Sequence, residues 1–326
     1  MPENAIGGHN VKTIVVGGSG FLGGAVADEL VRRGREVEIF DIAGSQAACD
    51  ARWRPRGRGR FARDGVRFRS GDIRDRDALA SAFAGAEEIY HFAGQLGTSE
   101  LDETPAEAAE VNVIGSINVF ETAIAAGVPR VFHASKPNVW LNAYTVTKHA
   151  AERFGELYAA AQADTRITSL RFFNAYGPHQ HTHPVRKLVP TFALQALAGR
   201  PLEVFGDGEQ IVDMVFAPDL ARLTVDYAAV GPAGEAPDCG RGVPITVNAV
   251  AESVAAWAGG RVGIRHLPMR VGEVEHTTLV ADTSRLLEVV GGDGGFADWE
   301  TSLALTLDWY ARRAGRPVDA GVHAVA

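Results

Sequence analysis

The chain has 326 residues, 46% of them apolar and 22% charged, the balance of an ordinary globular protein with core enough for one or two domains. Its net charge of −8 argues against general nucleic-acid affinity, and no apolar run reaches the roughly 18 residues of a membrane span. The first ten residues lack the basic start and apolar core of a secretion signal, while two cysteines, Cys49 and Cys239, exclude a disulfide framework and sit in no metal-ligand spacing; a reducing cytoplasm is the expected compartment.

Thr13 to Val16 is a short apolar run that ends in Gly17-Gly-Ser-Gly20-Phe-Leu-Gly23. Helical spacing follows over 21–33, with Phe21, Leu22, Ala25, Val26 and Leu30 on one side and Asp28, Glu29, Arg32 and Arg33 on the other. Strand, glycine turn and helix in this order suit a dinucleotide pyrophosphate. Gly17 permits the tight turn, Gly20 admits the phosphates, Gly23 lets the helix pack close to the sheet, and the helix N-terminus offers N–H groups. A second strand, Glu36 to Phe40, ends in Asp41, at about the 20-residue distance where a carboxylate accepts the ribose hydroxyls. That carboxylate repels a 2′-phosphate, so NAD is favoured over NADP.

An arginine-rich stretch comes next: Arg52, Arg54, Arg56, Arg58, Arg60, Arg63, Arg67 and Arg69. It reads either as a solvated loop or as a segment that attracts phosphate or an acidic partner. Strands are then expected at 66–69, 88–92, 130–133 and 168–173, separated by helices, notably one over 105–126. Such alternation predicts an α/β fold with a doubly wound parallel sheet, and ligand groups at the carboxyl ends of its strands. Asp72, Gly94 and Ser135 fall there beside Gly17 and Asp41.

Tyr144 and Lys148 are spaced to lie one turn apart on a helix. A phenol beside an ammonium can pass a proton at neutral pH, because the positive charge favours the phenolate. Beyond Pro178 the texture changes. His179, His181 and His183 alternate in a polar loop that lines or covers the site or faces water, with no metal expected. A helix is predicted over 188–198, a turn at Gly206-Asp-Gly208 between two strands, a surface loop over 231–242, helices over 251–258 and 299–312, and a frayed tail from Gly315. His276 reads equally as a surface or a substrate-side histidine.

These motifs resemble the extended short-chain dehydrogenase/reductase family, in particular its nucleotide-sugar epimerases and dehydratases. The likeness runs through Gly17-x-x-Gly20-x-x-Gly23, Asp72-Ile73, His91-Phe-Ala-Gly94, Val111-Asn112, Tyr144-x-x-x-Lys148 and Arg171-Phe-Phe-Asn174, and continues to Lys187-Leu-Val-Pro190, Gly206-Asp-Gly-Glu-Gln210 and Ala281-Asp-Thr-Ser-Arg285. It implies a Rossmann NAD-binding domain over 1–176 and a smaller substrate-binding domain over 177–326 with segments rejoining the first. By the same resemblance Phe21, Leu22, Asp41, Asp72, Ile73, Phe92, Ala93, Gly94, Asn112, Tyr144, Lys148 and Phe173 contact NAD. Thr98 and Ser99 lie beside the sugar of a UDP-, dTDP- or GDP-linked substrate, and Asn174, Leu188, Val189 and Arg270 hold its nucleoside diphosphate. A cytoplasmic homodimer is implied as well.

Two departures from the family pattern bear on chemistry. Val212 stands where the family carries a diphosphate-binding arginine, a loss that Arg186, Lys187 or Arg270 must make good. Only eight residues separate Ser135 from Tyr144, so the loop that normally carries a catalytic Ser or Thr is shortened. The inverting 4,6-dehydratases share this spacing, and their lysine falls on Lys136 while their aspartate falls on Ser135. Oxidation at sugar C4 by Tyr144 and Lys148 is expected, with Ser135 polarising the C4 oxygen and Lys136 available as a base toward C5. The expected enzyme is a nucleotide-sugar 4-epimerase. A 4,6-dehydratase, 5-epimerase or uronic-acid decarboxylase shares its 4-keto intermediate, and a non-catalytic NAD-binding module is the alternative of another class.

Overall fold

The computed structural model describes residues 11–45, 47, 52, 66–97, 100–137, 140–161, 163–183, 185–269 and 276–316. Cys49, the arginines from 54 to 63 and the tail beyond 316 lie outside them. Buried apolar runs become central strands, since a strand covered on both faces need not alternate. Lys12–Val16 (β1), Glu36–Asp41 (β2), Val66–Ser70 (β3), Glu88–His91 (β4), Arg130–Ser135 (β5) and Arg166–Phe172 (β6) form one parallel sheet with a short seventh strand. Its order is β3-β2-β1-β4-β5-β6 and then the seventh strand. The chain reverses direction across the sheet between β1 and β4, which opens a crevice at their carboxyl ends.

Helices cover both faces. Phe21–Arg32 (α1) follows the glycine turn, and Arg76–Phe83 (α2) is capped by Asp75, whose carboxylate accepts from the Asp77 and Ala78 N–H groups. The third helix (α3) is continuous over 105–125, and its middle turn, Glu110–Ile114, is a π-helix between α-helical Pro105–Ala109 and Gly115–Ala125. The wider turn is not visible in apolar spacing; it carries Asn112. Ala143–Ala161 (α4) holds the Tyr-Lys pair. One apolar core lies under α1 and a later helix, centred on Val26, Leu30, Ile39 and Phe132. Another lies under α2, α3 and α4, around Ile14, Phe83, Phe120 and Ile167.

Asn174–Tyr176 (β7), Leu188–Leu197 (α5), Leu202–Phe205 (β8) and Ile211–Phe216 (β9) begin the second half. The Gly206–Gly208 turn joins β8 to β9, but those strands do not pair with each other. β8 runs parallel to Ile264–Leu267 (β12), and β9 lies between β7 and Pro244–Thr246 (β11). Ala217–Val230 (α6), with Pro218 in its first turn, returns to the first core. The predicted surface loop over 231–242 contains the seventh sheet strand, Asp238–Cys239 (β10), paired with Arg171 and Phe172. Two residues are too few to show periodicity, so tertiary pairing alone defines it. Val247–Trp257 (α7), Ser284–Val290 (α8) and Trp299–Arg313 (α9) complete the chain. α5, α7 and α9 enclose a third core around Tyr176, Phe192, Val250 and Leu307. Among the described residues no helix is long and apolar enough to cross a membrane.

Candidate active site

A single cleft of about 1020 Å³ runs across the carboxyl ends of β1, β2, β4 and β5 and on to α5 and β8. Its floor at one end is the glycine turn. Gly17 has φ +80°, and a Cβ there would stand 2.4 Å from the Ala93 nitrogen; one on Gly23 would stand 2.4 Å from the Gly17 carbonyl oxygen. Side chains are thus excluded where a pyrophosphate must approach the backbone. Asp41 Oδ2 accepts from the Ser19 N–H at 3.0 Å, so the β2 carboxylate also braces the turn. Asp72 is paired with Arg74 at 2.7 Å, and that hydrogen bond holds its carboxyl below the ordinary range. Phe21, Leu22, Ile73, Phe92, Ala93, Gly94 and Phe173 line the same cleft. These residues fit NAD.

Asn112 stands behind the wall. Its Oδ1 accepts from the Gln95 N–H at 2.7 Å, and its Nδ2 donates to the Gln95 carbonyl and to Thr147 Oγ1, both at 3.1 Å. With its amide engaged in this way it braces the β4 loop against α4. Removing the Asp41 carboxylate tests the cofactor end. Asp41→Ala is expected to weaken NAD binding by about 10- to 100-fold, the worth of hydrogen bonds to a charged group, and to abolish discrimination against NADP. Titration calorimetry with both nucleotides measures each effect.

The structure brings Tyr144, Lys148, Ser135 and Lys136 together where α4 begins beside the end of β5. Burial raises the Tyr144 phenol above its ordinary value, so nearby positive charge is what can bring the proton off. Lys148 is 6% exposed. Burial pulls its ammonium down to about 8; Lys136 adds to that fall and Glu152 opposes it. Its Nζ lies 3.3 Å from His133 Nε2. Lys136 Nζ donates to Thr145 Oγ1 at 2.7 Å and to the Pro137 carbonyl at 2.8 Å, and sits 5.5 Å from the Tyr144 ring centre. Burial brings it to about 8 too.

Ser135 differs from its expected role. Its hydroxyl donates to Glu152 Oε2 at 2.6 Å, and Glu152, fully buried, also binds the Arg171 guanidinium. A serine has one proton to give, so Ser135 meets the cleft as an acceptor and not as a donor to C4–O. The hydroxyl beside Tyr144 belongs to Thr145, where it accepts from Lys136; sequence reading passed it over although it is the next residue. His133 was also missed. Its signal was period two in β5, which puts His133 on the same face as Ser135.

At the far end Asn174, Leu188, Val189, Arg186, Lys187 and Val212 line the cleft. No side chain caps the first turn of α5, so its leading N–H groups and the helix dipole face an incoming anion. Thr98, Ser99 and Arg270 lie outside the described residues. In the histidine loop, His179 packs tilted against Trp309 with ring centres 4.9 Å apart, His181 lies against the Ser19 backbone, and His183 pairs with Thr182. His181 and His183 line the cleft. Among the described residues no three His, Cys, Asp or Glu side chains are grouped to hold a metal ion. His276 is exposed and stands 3.6 Å from Asp207.

A doubly wound sheet with a glycine turn, an acidic β2 terminus and a Tyr-Lys pair in the same cleft defines a dinucleotide-dependent enzyme. The chain belongs to the NAD dependent epimerase/dehydratase family, whose pattern matches residues 13–238. It is 27% identical to the UDP-glucose 4-epimerase of Mycolicibacterium smegmatis over 90% of this chain and 95% of that one. It is 26% identical to the dTDP-glucose 4,6-dehydratase of Streptomyces niveus, covering 92% of this chain and 93% of that one. The solved structure of MoeE5 in complex with UDP-glucuronic acid and NAD superposes with a TM-score of 0.78 at 27% identity, covering 93% of this chain and 99% of that one.

Proposed function

We propose that the chain is a nucleotide-sugar 4-epimerase. The observation that carries this reading is the single continuous cleft. Tyr144 and Lys148 stand at its cofactor end, and an uncapped helix N-terminus with Arg186 stands at its other end. That spacing suits a ligand with a diphosphate at one end and a reacting carbon at the other. Bound NAD supplies the hydride acceptor and then the hydride donor, so the cycle needs no outside oxidant. Tyr144 takes the C4 hydroxyl proton as that carbon is oxidised and, once the 4-keto sugar has turned so that the carbon is reduced on its opposite face, gives the proton back to the C4 oxygen. Lys148 keeps positive charge beside the phenolate. Lys136, with two of its three N–H groups engaged, has one left for the C4 oxygen in place of the diverted Ser135 hydroxyl.

Against elimination stands the residue at 135. The resemblance aligns the aspartate of the short-loop dehydratases with it, and here it is a serine bonded to Glu152. A second reading has its own support: Lys136 is lowered to about 8 by burial, which suits a base that removes the C5 proton. Turnover of UDP-, dTDP- and GDP-sugars in deuterated water separates the two. Direct 4-epimerisation is expected to give the C4 epimer with no solvent deuterium on carbon. Label at C5 or C6 would sink it in favour of dehydration or 5-epimerisation, and loss of carbon dioxide from a uronic acid would do so in favour of decarboxylation.

We also infer a homodimer. Val146 and Leu157 are exposed on α4 and, eleven residues apart, share one helical face. Sedimentation at twice the 34.7 kDa chain mass is the expected result, and a monomer under dilute conditions would overturn it.

A further inference from the structure

Behind the Tyr-Lys pair lie two imidazoles for which the proposed reaction has no use. His91 on β4 and His133 on β5 are cross-strand partners with ring centres 5.5 Å apart, and both are buried to 1% exposure or less. Burial and the adjoining Lys148 charge hold both well below the ordinary imidazole value, so both rings are neutral.

Hydrogen bonds place their protons. Ser116 Oγ gives its one proton to the Asn112 carbonyl at 2.7 Å, so at 2.9 Å it accepts from His91 Nε2. His133 Nε2 faces the Lys148 ammonium at 3.3 Å and accepts from it; its own proton is then on Nδ1. Neither Nδ1 has a partner. A buried, unpartnered polar atom is destabilising, so stability does not account for an imidazole at 133.

We propose that His133 is a positioning residue for Lys148. It accepts one ammonium proton in a hydrogen bond, fixes the side chain, and leaves the charge undiminished for Tyr144. A carboxylate in its place would cancel that charge at the phenol, and an apolar side chain would leave a buried ammonium with no acceptor. The other groups facing Lys148 do not substitute. Lys136, at the end of β5, repels it; Tyr144 is the group it serves; Glu152, on its own helix, is engaged by Arg171 and Ser135. Among the described residues His133 is its one hydrogen-bond partner.

The inference rests on the Tyr144–Lys148 reading but not on the identity of the sugar, and its test needs no substrate. In the NAD-loaded enzyme the Lys148 ammonium is titrated by nitrogen-15 NMR of its Nζ, with Lys148→Met in each background as the blank. His133→Leu is expected to lower the ammonium midpoint by about one pH unit, because the buried charge loses its hydrogen-bond acceptor. His133→Gln, which keeps an acceptor within reach of Nζ, is expected to titrate with the parent. His133→Ala removes the acceptor while adding no bulk, and covers the case in which the leucine variant does not fold. A parental midpoint in either folded variant would mean that the ring only fills space, and the proposal would fall.

Discussion

Tyr144→Phe is expected to lower kcat by about 10³-fold, the usual worth of a positioned proton-transfer group, while the bound NAD content stays at the parental level. The substitution removes one oxygen and keeps the ring against which the Lys136 ammonium sits at 5.5 Å. Helix α4 is unaffected, because Phe suits the position as well as Tyr. A non-catalytic NAD-binding module would tolerate the change, so steady-state turnover with the accepted sugar nucleotide, beside cofactor analysis of the denatured protein, decides between the classes. The pH profile of the unmodified enzyme adds a signed check. Lys148 is lowered to about 8 from the value of a free lysine, so its charge is lost at lower pH than usual. Activity that depends on the ammonium is full below that value and falls as pH rises through about 8. Lys136, lowered to about 8 as well, would give the opposite slope if it served as a base, since exchange of solvent deuterium into the sugar would grow through the same range.

Much of this site was legible in the sequence because it sits where local rules are strong. The glycine turn, the β2 terminus and the ends of β4 and β5 are each fixed by a strand boundary, and parallel sheets gather such boundaries at one edge. Tyr144 and Lys148 meet because a helix repeats every 3.6 residues. What was illegible depends on partners distant in sequence. Ser135 reads as a hydroxyl facing substrate until Glu152, seventeen residues on, takes its proton. Asn112 reads as a cofactor contact until the π-turn in α3 points its amide at Gln95 and Thr147. The strand β10 exists only because β6 pairs with it. Hydrogen-bond commitments of this kind follow from the packed fold and have no one-dimensional signature.

Arg171→Leu is expected to cost about 2–3 kcal/mol, less than the penalty for breaking a fully buried ion pair, because the Arg171 side chain is 34% exposed. Glu152 has no solvent exposure, and its two oxygens are met by Arg171 Nη2 at 2.5 Å, by Arg171 Nε at 3.1 Å and by the Ser135 hydroxyl at 2.6 Å. The pair joins β6, α4 and the end of β5, so it also fixes the strand end from which Lys136 enters the cleft. With leucine at 171 the buried carboxylate loses its guanidinium partner and keeps one neutral donor, the Ser135 hydroxyl. Urea denaturation of parent and variant measures the loss. A loss below about 1 kcal/mol, the scale of an exposed pair, would remove Glu152 as the anchor of the β5 terminus. In the double variant with Glu152→Leu no buried charge remains, so part of the loss should return. The coupling between the two substitutions is then the worth of the pair itself.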